Sequence, residues 1–321
     1  MSTKDELLKL FEENKGTYLS GEEIADKLDI SRTAVWKAVN SLRNDGFPID
    51  AQKTKGYCLA VNSDIVSAQG VSKYLKVPLA IEVYDEVVST NTLLKEKAAA
   101  GAPEGTVLIA NSQTGGKGRL GRKFFSPNDS GVYISLLLRP VGEDPQRSLK
   151  VTTMAAVAAC DAIGEVTEEK AEIKWVNDIF MRGLKVAGIL TEASISMENG
   201  SMEYVVVGIG FNVYEPNGGF PEELKSIAGS ILQGPTPDAK NKIAAAFLNN
   251  LMEILNDKDL KDYEARYKEK SFVLGKKVNV ISPAGTRKAK VLDMTKDCAL
   301  IVEYEDGTKA ELSSGEVSIR T

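Results

Sequence analysis

A glycine-rich, basic segment near the middle of the chain limits the structures that can surround it. Four glycines and four cations fall within nine residues, and residues 113–123 contain no acidic side chain; the segment reads Gly115-Gly116-Lys117-Gly118-Arg119-Leu120-Gly121-Arg122-Lys123. Glycine allows backbone N–H groups to approach a ligand closely, and cations this near to one another repel unless an anion joins them. The segment therefore predicts a loop that binds an anion.

The residues after this loop exclude two common phosphate-binding motifs. The three glycines 116, 118 and 121 have the spacing of the dinucleotide fingerprint and loosely that of the kinase glycine loop. A dinucleotide fold needs a helix at this point, but a turn at 124–131 and an apolar strand at 132–138 follow. A Walker loop needs Gly-Lys-Ser/Thr, which the chain lacks. From the motif alone, an anion-binding loop and a solvated basic hairpin tip remain equal alternatives.

Composition restricts the chemistry further. The chain has 321 residues, 43% hydrophobic and 26% charged, and no histidine. The length allows two or three domains, and the proportions are ordinary for a globular protein. The absence of histidine excludes Ser-His-Asp and Cys-His nucleophiles, the kinase HRD loop and HExxH zinc sites. Catalysis must therefore depend on Lys, Arg, Asp, Glu and the backbone, and we assign no residue to a resident metal.

The cysteines and the N-terminal sequence indicate a reducing compartment. Cys58, Cys160 and Cys298 are scattered without CxxC spacing, and no apolar N-terminal run indicates a signal peptide or a membrane span. We therefore expect a cytoplasmic protein that does not associate with a membrane.

The first 60 residues have the pattern of a winged helix-turn-helix. Three amphipathic helical segments precede two short alternating strands, 49–52 and 56–59, which a basic turn joins. Residues 31–60 carry five Lys or Arg and two Asp, a net charge of +3, whereas residues 1–30 carry a net charge of −4. A positive field is therefore concentrated on one part of the unit, as DNA binding requires.

The third helix of this unit begins at Ser31 and supplies most of the candidate DNA contacts. Val35, Val39 and Leu42 form its inward stripe, which leaves polar and cationic side chains on the opposite face. In this motif we expect Arg32, Thr33 and Asn40 to reach base edges, while phosphates are contacted by Lys37, Arg43, Lys53 and Lys55. The DNA-binding candidates are Arg32, Thr33, Trp36, Lys37, Asn40, Lys53 and Lys55. Trp36 has two equal interpretations, DNA contact or packing against the wing, and a docking module without DNA is the alternative for the whole unit.

Strands and helices alternate through the central region. Expected strands at 81–84, 106–110 and 132–138 precede a buried helix at 151–163, and antiparallel hairpins follow up to residue 212. This mixture predicts an α+β fold, and the short strands with tight turns between residues 278 and 312 predict a small barrel. We expect three domains, at residues 1–63, 64–270 and 271–321.

Polar residues collect at the ends of the central strands, where a sheet-based pocket has its specific groups. They are Lys174, Asn177, Asp178, Lys185 and Asn212. Three polar residues, Ser89-Thr90-Asn91, precede a helix, and N-capping explains only one of them. Glycines 188, 208 and 210 interrupt apolar strands, which predicts the close approach of a ligand or another backbone, with a β-bulge as the alternative.

The order of these motifs resembles that of the biotin-protein ligases. The motifs are Ser89-Thr90-Asn91, Gln113 with GGKGRLGRKFFSP at 115–127, KWVND at 174–178, KVAGIL at 185–190 and GIGFN at 208–212. With its N-terminal winged helix-turn-helix, the chain resembles the bifunctional biotin ligases and biotin operon repressors over essentially its whole length. The resemblance implies a mixed-sheet, biotin/lipoate ligase-like catalytic domain and an SH3-like C-terminal β-barrel.

A two-step ligation is what this resemblance implies. Biotin and Mg-ATP give biotinyl-5′-AMP and pyrophosphate, and the biotinyl group then passes to a lysine of an acceptor, with the biotin carboxyl carrier protein of acetyl-CoA carboxylase as the expected partner. The implied cofactors and substrates are ATP, Mg²⁺ and biotin. Biotinyl-5′-AMP is also the implied corepressor of a ligand-promoted homodimer on operator DNA. A lipoate or octanoyl ligase and a non-catalytic ligand-sensing repressor are the alternatives.

The resemblance also implies roles for individual residues. The catalytic candidates are Lys185, Arg119, Lys117 and Asp178, with Asp178 as a hypothetical proton acceptor in the second step. The residues expected to bind biotin or the nucleotide are Ser89, Thr90, Asn91, Gln113, Gly116, Lys117, Gly118, Arg119, Lys185, Gly188, Gly208, Asn212 and Arg320. Cations suit this chemistry, because a carboxylate and a phosphate, both anionic, must be brought together.

The chain departs from the family pattern at four positions. Lys117 and Leu120 stand where arginines are common, Phe124 where tryptophan is common, and Val176 where proline is common. Arg and Lys differ in bidentate phosphate contact, so we expect loop closure and adenylate retention to differ from those of relatives. The resemblance implies that Glu316 and Arg320, near the C-terminus, lean toward the nucleotide or the main domain. From the sequence alone, we expect Glu316 to be an ordinary surface charge.

Overall fold

The computed structural model of the chain describes residues 2–139, 150–196, 201–257, 262–282, 285–313 and 315–319. The chain divides into two units: the first comprises Met1–Leu75 and Gly234–Ala245, and the second comprises Lys76–Gln233 and Ala246–Thr321. The division into three domains at residues 63 and 270 stays a prediction.

Helices and a two-stranded antiparallel sheet build the first unit. Its elements are α1 (Thr3–Glu13), α2 (Gly21–Leu28), α3 (Arg32–Asn44), β1 (Ile49–Gln52), β2 (Gly56–Leu59) and α4 (Ala68–Ser72). Ser20 and Ser31 begin α2 and α3, because each hydroxyl accepts a hydrogen bond from a backbone N–H of the first turn. Phe11, Val39 and Leu42 are fully buried between the helices. The predicted winged helix-turn-helix is confirmed.

A mixed sheet of seven strands forms the centre of the second unit within the described residues. Its strands are β3 (Ala80–Val87), β4 (Thr106–Gln113), β5 (Gly131–Leu138), β6 (Glu172–Lys174), β7 (Asp178–Met181), β8 (Leu184–Ile195) and β9 (Met202–Asn212). They lie in the order β3-β4-β5-β9-β8-β7-β6, with β3 parallel to β4 and the other neighbours antiparallel. β4 continues past the expected residue 110 because its pairing with β3 extends to Val87 and Gln113. Gln113 therefore stands at a strand end, where the glycine-rich segment begins.

Four helices of the described chain flank or follow this sheet. They are α5 (Thr90–Ala99), α6 (Val151–Thr167), α7 (Ala239–Asn256), which begins in the segment that belongs to the first unit, and α8 (Tyr263–Lys270). Leu94 and Ala98 of α5 pack against Leu108 of β4 and Leu137 of β5. α6 is rich in alanine and contacts β6–β9 as well as α8. In the ranges that the structure describes, we find no helix with the length and hydrophobicity of a membrane span.

An antiparallel sheet of five strands forms the C-terminal part of the second unit in the described residues. Its strands are β10 (Lys277–Ser282), β11 (Gly285–Met294), β12 (Leu300–Tyr304), β13 (Lys309–Leu312) and β14 (Glu316–Ile319), in the order β13-β12-β11-β10-β14. Val291, Leu300 and Val302 are fully buried beneath it. The predicted α+β fold with an SH3-like C-terminal barrel is confirmed.

Candidate active site

Two adjoining cavities lie in the second unit, where the glycine-rich segment meets β8 and β9. The first, the cation cavity, has a volume of about 100 Å³ and is lined by six cations: Lys117, Arg119, Arg122, Lys123, Lys174 and Lys185. The second, the amide cavity, has a volume of about 30 Å³ and is lined by residues that include Asn91 and Gln113. Lys117, Phe124 and Gly188 line both. One elongated ligand can therefore occupy both cavities.

Hydrogen bonds within the protein fix the polar side chains of the amide cavity. Ser89 begins α5, and its hydroxyl accepts the Thr92 N–H at 3.4 Å. Gln113 Oε1 accepts the Thr90 N–H at 2.9 Å, while Gln113 Nε2 donates to Ser126 Oγ at 3.0 Å. The Gln113 amide is therefore held in one orientation before a ligand enters.

The glycines of β8 and β9 give space to side chains of the site. A Cβ atom at Gly208 would lie 2.0 Å from Asn91 Oδ1, and a Cβ atom at Gly210 would lie 2.4 Å from a ring carbon of Phe124. At Gly188 the added atom would lie 3.1 Å from both Phe124 and Lys185 Nζ. The sequence predicts a ligand or a backbone at these positions, whereas in the structure the Asn91 amide and the Phe124 ring take the space.

The glycine-rich segment folds back on itself as a closed loop. The Gly118 N–H donates to the Arg122 carbonyl at 2.7 Å, and the Phe124 N–H donates to the Gly116 carbonyl at 2.9 Å. Arg119–Gly121 forms its tip, where Leu120 has a left-handed backbone conformation with φ of 56°. A Cβ atom at Gly116 would lie 2.4 Å from the Phe124 carbonyl oxygen, so only glycine fits this position without a shift of the backbone.

Two arginines of the loop have partners within the protein. Arg122 makes a two-pronged ion pair with Glu316, at 2.7 and 2.8 Å, and Arg119 donates to Asn177 Oδ1 and to the Gly315 carbonyl, both at 3.0 Å. Paired, parallel bonds of this kind are strong and directional. The expectation that Glu316 is an ordinary surface charge is therefore wrong, because its carboxylate neutralises part of the loop's charge.

Lys185 is a fixed cation at the junction of the two cavities. Its Nζ lies 2.6 Å from Asp178 Oδ1 and 5.9 Å from the centre of the Phe124 ring. Both polar groups of its backbone are hydrogen-bonded to one neighbouring segment, since its N–H donates to the Ile227 carbonyl at 2.8 Å and its carbonyl accepts from the Gly229 N–H at 2.9 Å. The lysine is therefore oriented before a substrate arrives.

Two asparagines support the backbone around this lysine. Asn177 Nδ2 donates to the Ile189 carbonyl at 2.9 Å, which turns Asn177 Oδ1 toward Arg119. Asn212 Nδ2 donates to the Gly229 carbonyl at 3.2 Å. Asn212 thus holds the segment that pairs with Lys185 and does not itself line either cavity.

Most residues that the sequence assigns to ligand binding or catalysis line one of the two cavities. They are Ser89, Thr90, Asn91, Gln113, Lys117, Gly118, Arg119, Asp178, Lys185, Gly188 and Gly208. Gly116 and Asn212 support the walls instead, and Arg320 lies outside the described residues.

The residue patterns missed four residues of this site, Ser126, Ser135, Glu192 and Glu316, of which the family resemblance indicated only Glu316. Ser135 left a signal, because its small hydroxyl interrupts the apolar and aromatic run at 132–138. Glu192 and Glu316 left none, since their partners are distant in sequence.

The DNA-binding candidates lie at the surface of the first unit. Arg32, Thr33, Trp36 and Lys37 on α3 are exposed and Asn40 is half-buried, while Lys53 and Lys55 are exposed between β1 and β2. Trp36 is 57% exposed, which leaves its indole available to a partner. Lys55 Nζ lies 5.5 Å from the centre of the Tyr18 ring, and the Tyr18 hydroxyl is hydrogen-bonded to Asp50. These contacts orient the basic turn.

Three family profiles match successive parts of the chain. The Biotin/lipoate A/B protein ligase family matches residues 84–212, an HTH domain matches residues 3–58, and the Biotin protein ligase C terminal domain matches residues 273–320. Together with the two cavities, these matches define a ligase-type enzyme that carries a DNA-binding unit.

Individual relatives narrow this class. The Bifunctional ligase/repressor BirA of Bacillus subtilis is 34% identical over 318 residues, 95% of each chain. The Biotin--[acetyl-CoA-carboxylase] ligase of Mycobacterium tuberculosis is 32% identical over 212 residues, 64% of this chain and 76% of the relative. The solved structure of the biotin protein ligase from Aquifex aeolicus in complex with biotin and ATP has a TM-score of 0.61 and 29% identity, and covers 75% of this chain and 98% of that one. The chain belongs to the family of BirA-type bifunctional ligase/repressors.

Proposed function

We propose that the second unit joins biotin to AMP and then transfers the biotinyl group to a lysine of an acceptor protein. The observation that carries this proposal is the junction of two unlike cavities, one lined by amide and hydroxyl groups with a single lysine, Lys117, and one lined by six cations. A neutral cyclic urea suits the first cavity, and phosphates suit the second. The biotin carboxyl group would then meet the α-phosphate of ATP beside Lys185.

The first step is the attack of a carboxylate oxygen of biotin on the α-phosphorus of ATP. A carboxyl–phosphate anhydride bond forms, and the bond between the α-phosphorus and the bridging oxygen breaks to release pyrophosphate. Because both reactants are anions, the protein must neutralise charge and align the two groups. We assign this role to Lys185, whose backbone N–H and carbonyl are both hydrogen-bonded, and to Arg119 and Lys117 of the loop.

The second step is the attack of an acceptor lysine on the acyl carbon, with AMP as the leaving group. The attacking amine must lose a proton, and we propose Asp178 as the acceptor of that proton. The Asp178 carboxylate is paired with Lys185 at 2.6 Å. A phosphate that draws Lys185 toward itself would free this carboxylate for the incoming ammonium group.

Magnesium enters this scheme with ATP. Mg²⁺ prefers carboxylate and carbonyl oxygens, and Asn177, Asp178 and Glu316 line the cation cavity. Two of these, Asp178 and Glu316, are paired with Lys185 and Arg122. We propose that Mg-ATP exchanges the partners, so that the cations turn to the phosphates and the carboxylates become available to the metal.

A direct test supplies the purified protein with biotin, Mg-ATP and a biotin carboxyl carrier domain of acetyl-CoA carboxylase, our proposed acceptor. Mass spectrometry is expected to detect one biotinyl group on a single carrier lysine, together with biotin-dependent release of pyrophosphate. Lipoate at the same concentration serves as the control. Faster transfer of lipoate would favour the lipoate ligase alternative, and an absence of pyrophosphate would favour a ligand-sensing repressor.

For the first unit we propose repression of biotin genes through operator DNA, with biotinyl-5′-AMP as the corepressor. A ligand-promoted homodimer would present two copies of α3 to a two-fold operator. Linkage then requires that the adenylate and the operator strengthen each other's binding by the same factor. Three free, buried cysteines, Cys58, Cys160 and Cys298, suit a protein of the reducing cytoplasm, where we place this activity.

The wing lysines are expected to contribute phosphate contacts to DNA binding. Lys53→Ala and Lys55→Ala should each lower the slope of log affinity against log salt by about one, because each lost phosphate contact releases about one counterion fewer. A titration of a short mixed-sequence duplex at several salt concentrations measures this slope. Lys9→Ala on α1, which removes an exposed cation of the same unit, is the matched control and should leave the slope unchanged. Equal slopes for all four proteins would exclude the wing from the DNA contact.

A further inference from the structure

A row of four oxygen atoms runs beside the amide cavity. Asn91 Oδ1 lies 2.7 Å from Ser135 Oγ, Ser135 Oγ lies 2.8 Å from Thr90 Oγ1, and Thr90 Oγ1 lies 3.2 Å from Gln113 Oε1. Each distance is compatible with a hydrogen bond. Ser135 is fully buried, and Thr90 and Asn91 are each 4% exposed. Their hydrogen-bonding needs must therefore be met almost entirely by the protein or by a ligand.

The Asn91 end of the row is fixed as an acceptor. Asn91 Nδ2 donates to the Leu190 carbonyl at 3.0 Å and to the Glu192 carboxylate at 2.9 Å, so both of its N–H groups are used and its oxygen faces Ser135. Lys95 lies 2.5 Å from the other oxygen of Glu192. Burial acts to raise the pKa of Glu192, but the hydrogen bonds from Lys95 and Asn91 outweigh it and hold that pKa below its usual value. Glu192 is thus a carboxylate that can only accept hydrogen bonds.

The Gln113 end of the row is also an acceptor. Ser126 Oγ donates its hydrogen to the Phe124 carbonyl at 2.9 Å, so it must accept from Gln113 Nε2, at 3.0 Å. This turns Gln113 Oε1 toward the Thr90 N–H, which donates to it at 2.9 Å. The Phe124 carbonyl, through Ser126, and the Thr90 N–H therefore determine the orientation of the Gln113 amide.

The three contacts of the row share two hydrogen atoms. Between the two fixed acceptors, only the hydroxyl groups of Ser135 and Thr90 carry a hydrogen. We assign these two hydrogens to the two shorter contacts, so that Ser135 donates to Asn91 at 2.7 Å and Thr90 donates to Ser135 at 2.8 Å. The longest contact, between Thr90 Oγ1 and Gln113 Oε1, is then left with facing lone pairs and no hydrogen.

We propose that Ser135, oriented by Asn91 and Glu192, is a positioning residue that draws the Thr90 hydrogen away from Gln113 and so reserves two adjacent acceptor oxygens for one N–H group of the ligand. This inference rests on the proposed function, because the cyclic urea of biotin supplies such an N–H group. The dithiolane ring of lipoate has none and would leave both oxygens unpaired. Ser135 thereby acts on ligand choice through Thr90, without touching the ligand itself.

Gly208 belongs to the same arrangement. It is paired with Ser135 across β5 and β9, and a Cβ atom there would lie 2.0 Å from Asn91 Oδ1. The absence of a side chain at this position allows the Asn91 oxygen to reach Ser135. This accounts for a glycine within an otherwise apolar strand.

The test compares biotin with two biotins methylated on one or the other urea nitrogen, all bound without ATP and measured by calorimetry. For the unmodified protein, methylation of the nitrogen that faces the oxygen pair is expected to weaken binding by a factor on the order of 10⁴. In Ser135→Ala, the Thr90 hydroxyl can turn to Gln113, so that the two oxygens satisfy each other. Biotin should then bind about tenfold more weakly, while the affinity for the methylated compound changes little. The discrimination, which is the ratio of these two affinities, should therefore fall about tenfold.

Matched variants separate this role from a structural one. Ser112→Ala removes another buried serine hydroxyl of the same sheet, one that donates to the Asp85 carbonyl at 3.1 Å, and should leave the discrimination unchanged. If Ser135→Ala weakens biotin and methylated biotin equally, the discrimination is unaltered and the proposal is overturned while the proposed function stands. If Ser135→Ala fails to fold in a thermal unfolding assay, Ser135→Cys, which keeps a weak donor of similar size, must give an intermediate discrimination. If the unmodified protein binds none of the three compounds, the proposed function itself fails.

Discussion

Lys185→Met is expected to lower the rate of biotin adenylation by about 10²- to 10³-fold, the usual effect of removing one preorganised charge donor from a reaction that develops negative charge. The backbone N–H and carbonyl of this lysine are both hydrogen-bonded, and its Nζ lies 2.6 Å from Asp178. Its charge is therefore in position before the reactants meet. Methionine keeps the length and the apolar contact with Phe124 but removes the charge. Biotin-dependent release of pyrophosphate measures the first step alone.

Two further variants provide a control for this result and a comparison between the two steps. Lys170→Met removes an exposed lysine of the same unit and should leave the rate unchanged. Asp178→Asn should slow the transfer of the biotinyl group to the carrier lysine more than it slows pyrophosphate release, since we assign Asp178 to that transfer in addition to its contact with Lys185. A Lys185→Met protein that folds normally and releases pyrophosphate at the unmodified rate would exclude this lysine from the reaction.

Gly116→Ala is expected to weaken biotin binding by about tenfold to a hundredfold. The added methyl group would lie 2.4 Å from the Phe124 carbonyl oxygen and 2.6 Å from Ser126 Oγ, so the loop must shift away from the amide cavity. Overpacking of this kind costs about 1–3 kcal/mol, which corresponds to the stated loss of affinity. Gln113 should lose its orientation as well, because Ser126 holds its amide at 3.0 Å. Calorimetry of biotin binding without ATP measures the effect.

A glycine of α6 provides the control for this substitution. At Gly164 the nearest atom to an added Cβ would lie 3.7 Å away, which is an ordinary contact, and the position is helical. Gly164→Ala should therefore keep biotin affinity and slightly raise the free energy of unfolding, because alanine favours helices. Equal biotin affinity of Gly116→Ala and the unmodified protein would contradict the close approach of Gly116 and Phe124.

Much of the fold follows from local sequence signals. Ser20 and Ser31 stand directly before apolar helical patterns, and both begin helices in the structure. The alternating strands around the basic turn pair as expected, with Ile49 opposite Leu59. In each case residues that are close in sequence determine the geometry, so periodicity and capping suffice.

Contacts between distant segments could not be predicted in the same way. Glu316 is paired with Arg122 because a C-terminal strand reaches the glycine-rich loop, and the charge pattern near residue 316 carries no sign of this. Gly208 faces the Asn91 amide, a partner that only the packing of α5 on β9 supplies. The sequence thus indicates which residues are unusual, while the tertiary packing decides what they contact.

If the amide cavity and the cation cavity bind one continuous ligand, a crystal structure with biotinyl-5′-AMP must show it in both. We expect the urea ring in hydrogen-bond contact with Thr90 and Gln113, and the phosphate beside Lys185 and Arg119 under the loop at 115–123. An amide cavity without the biotinyl group, together with a loop that points into solvent, would contradict it.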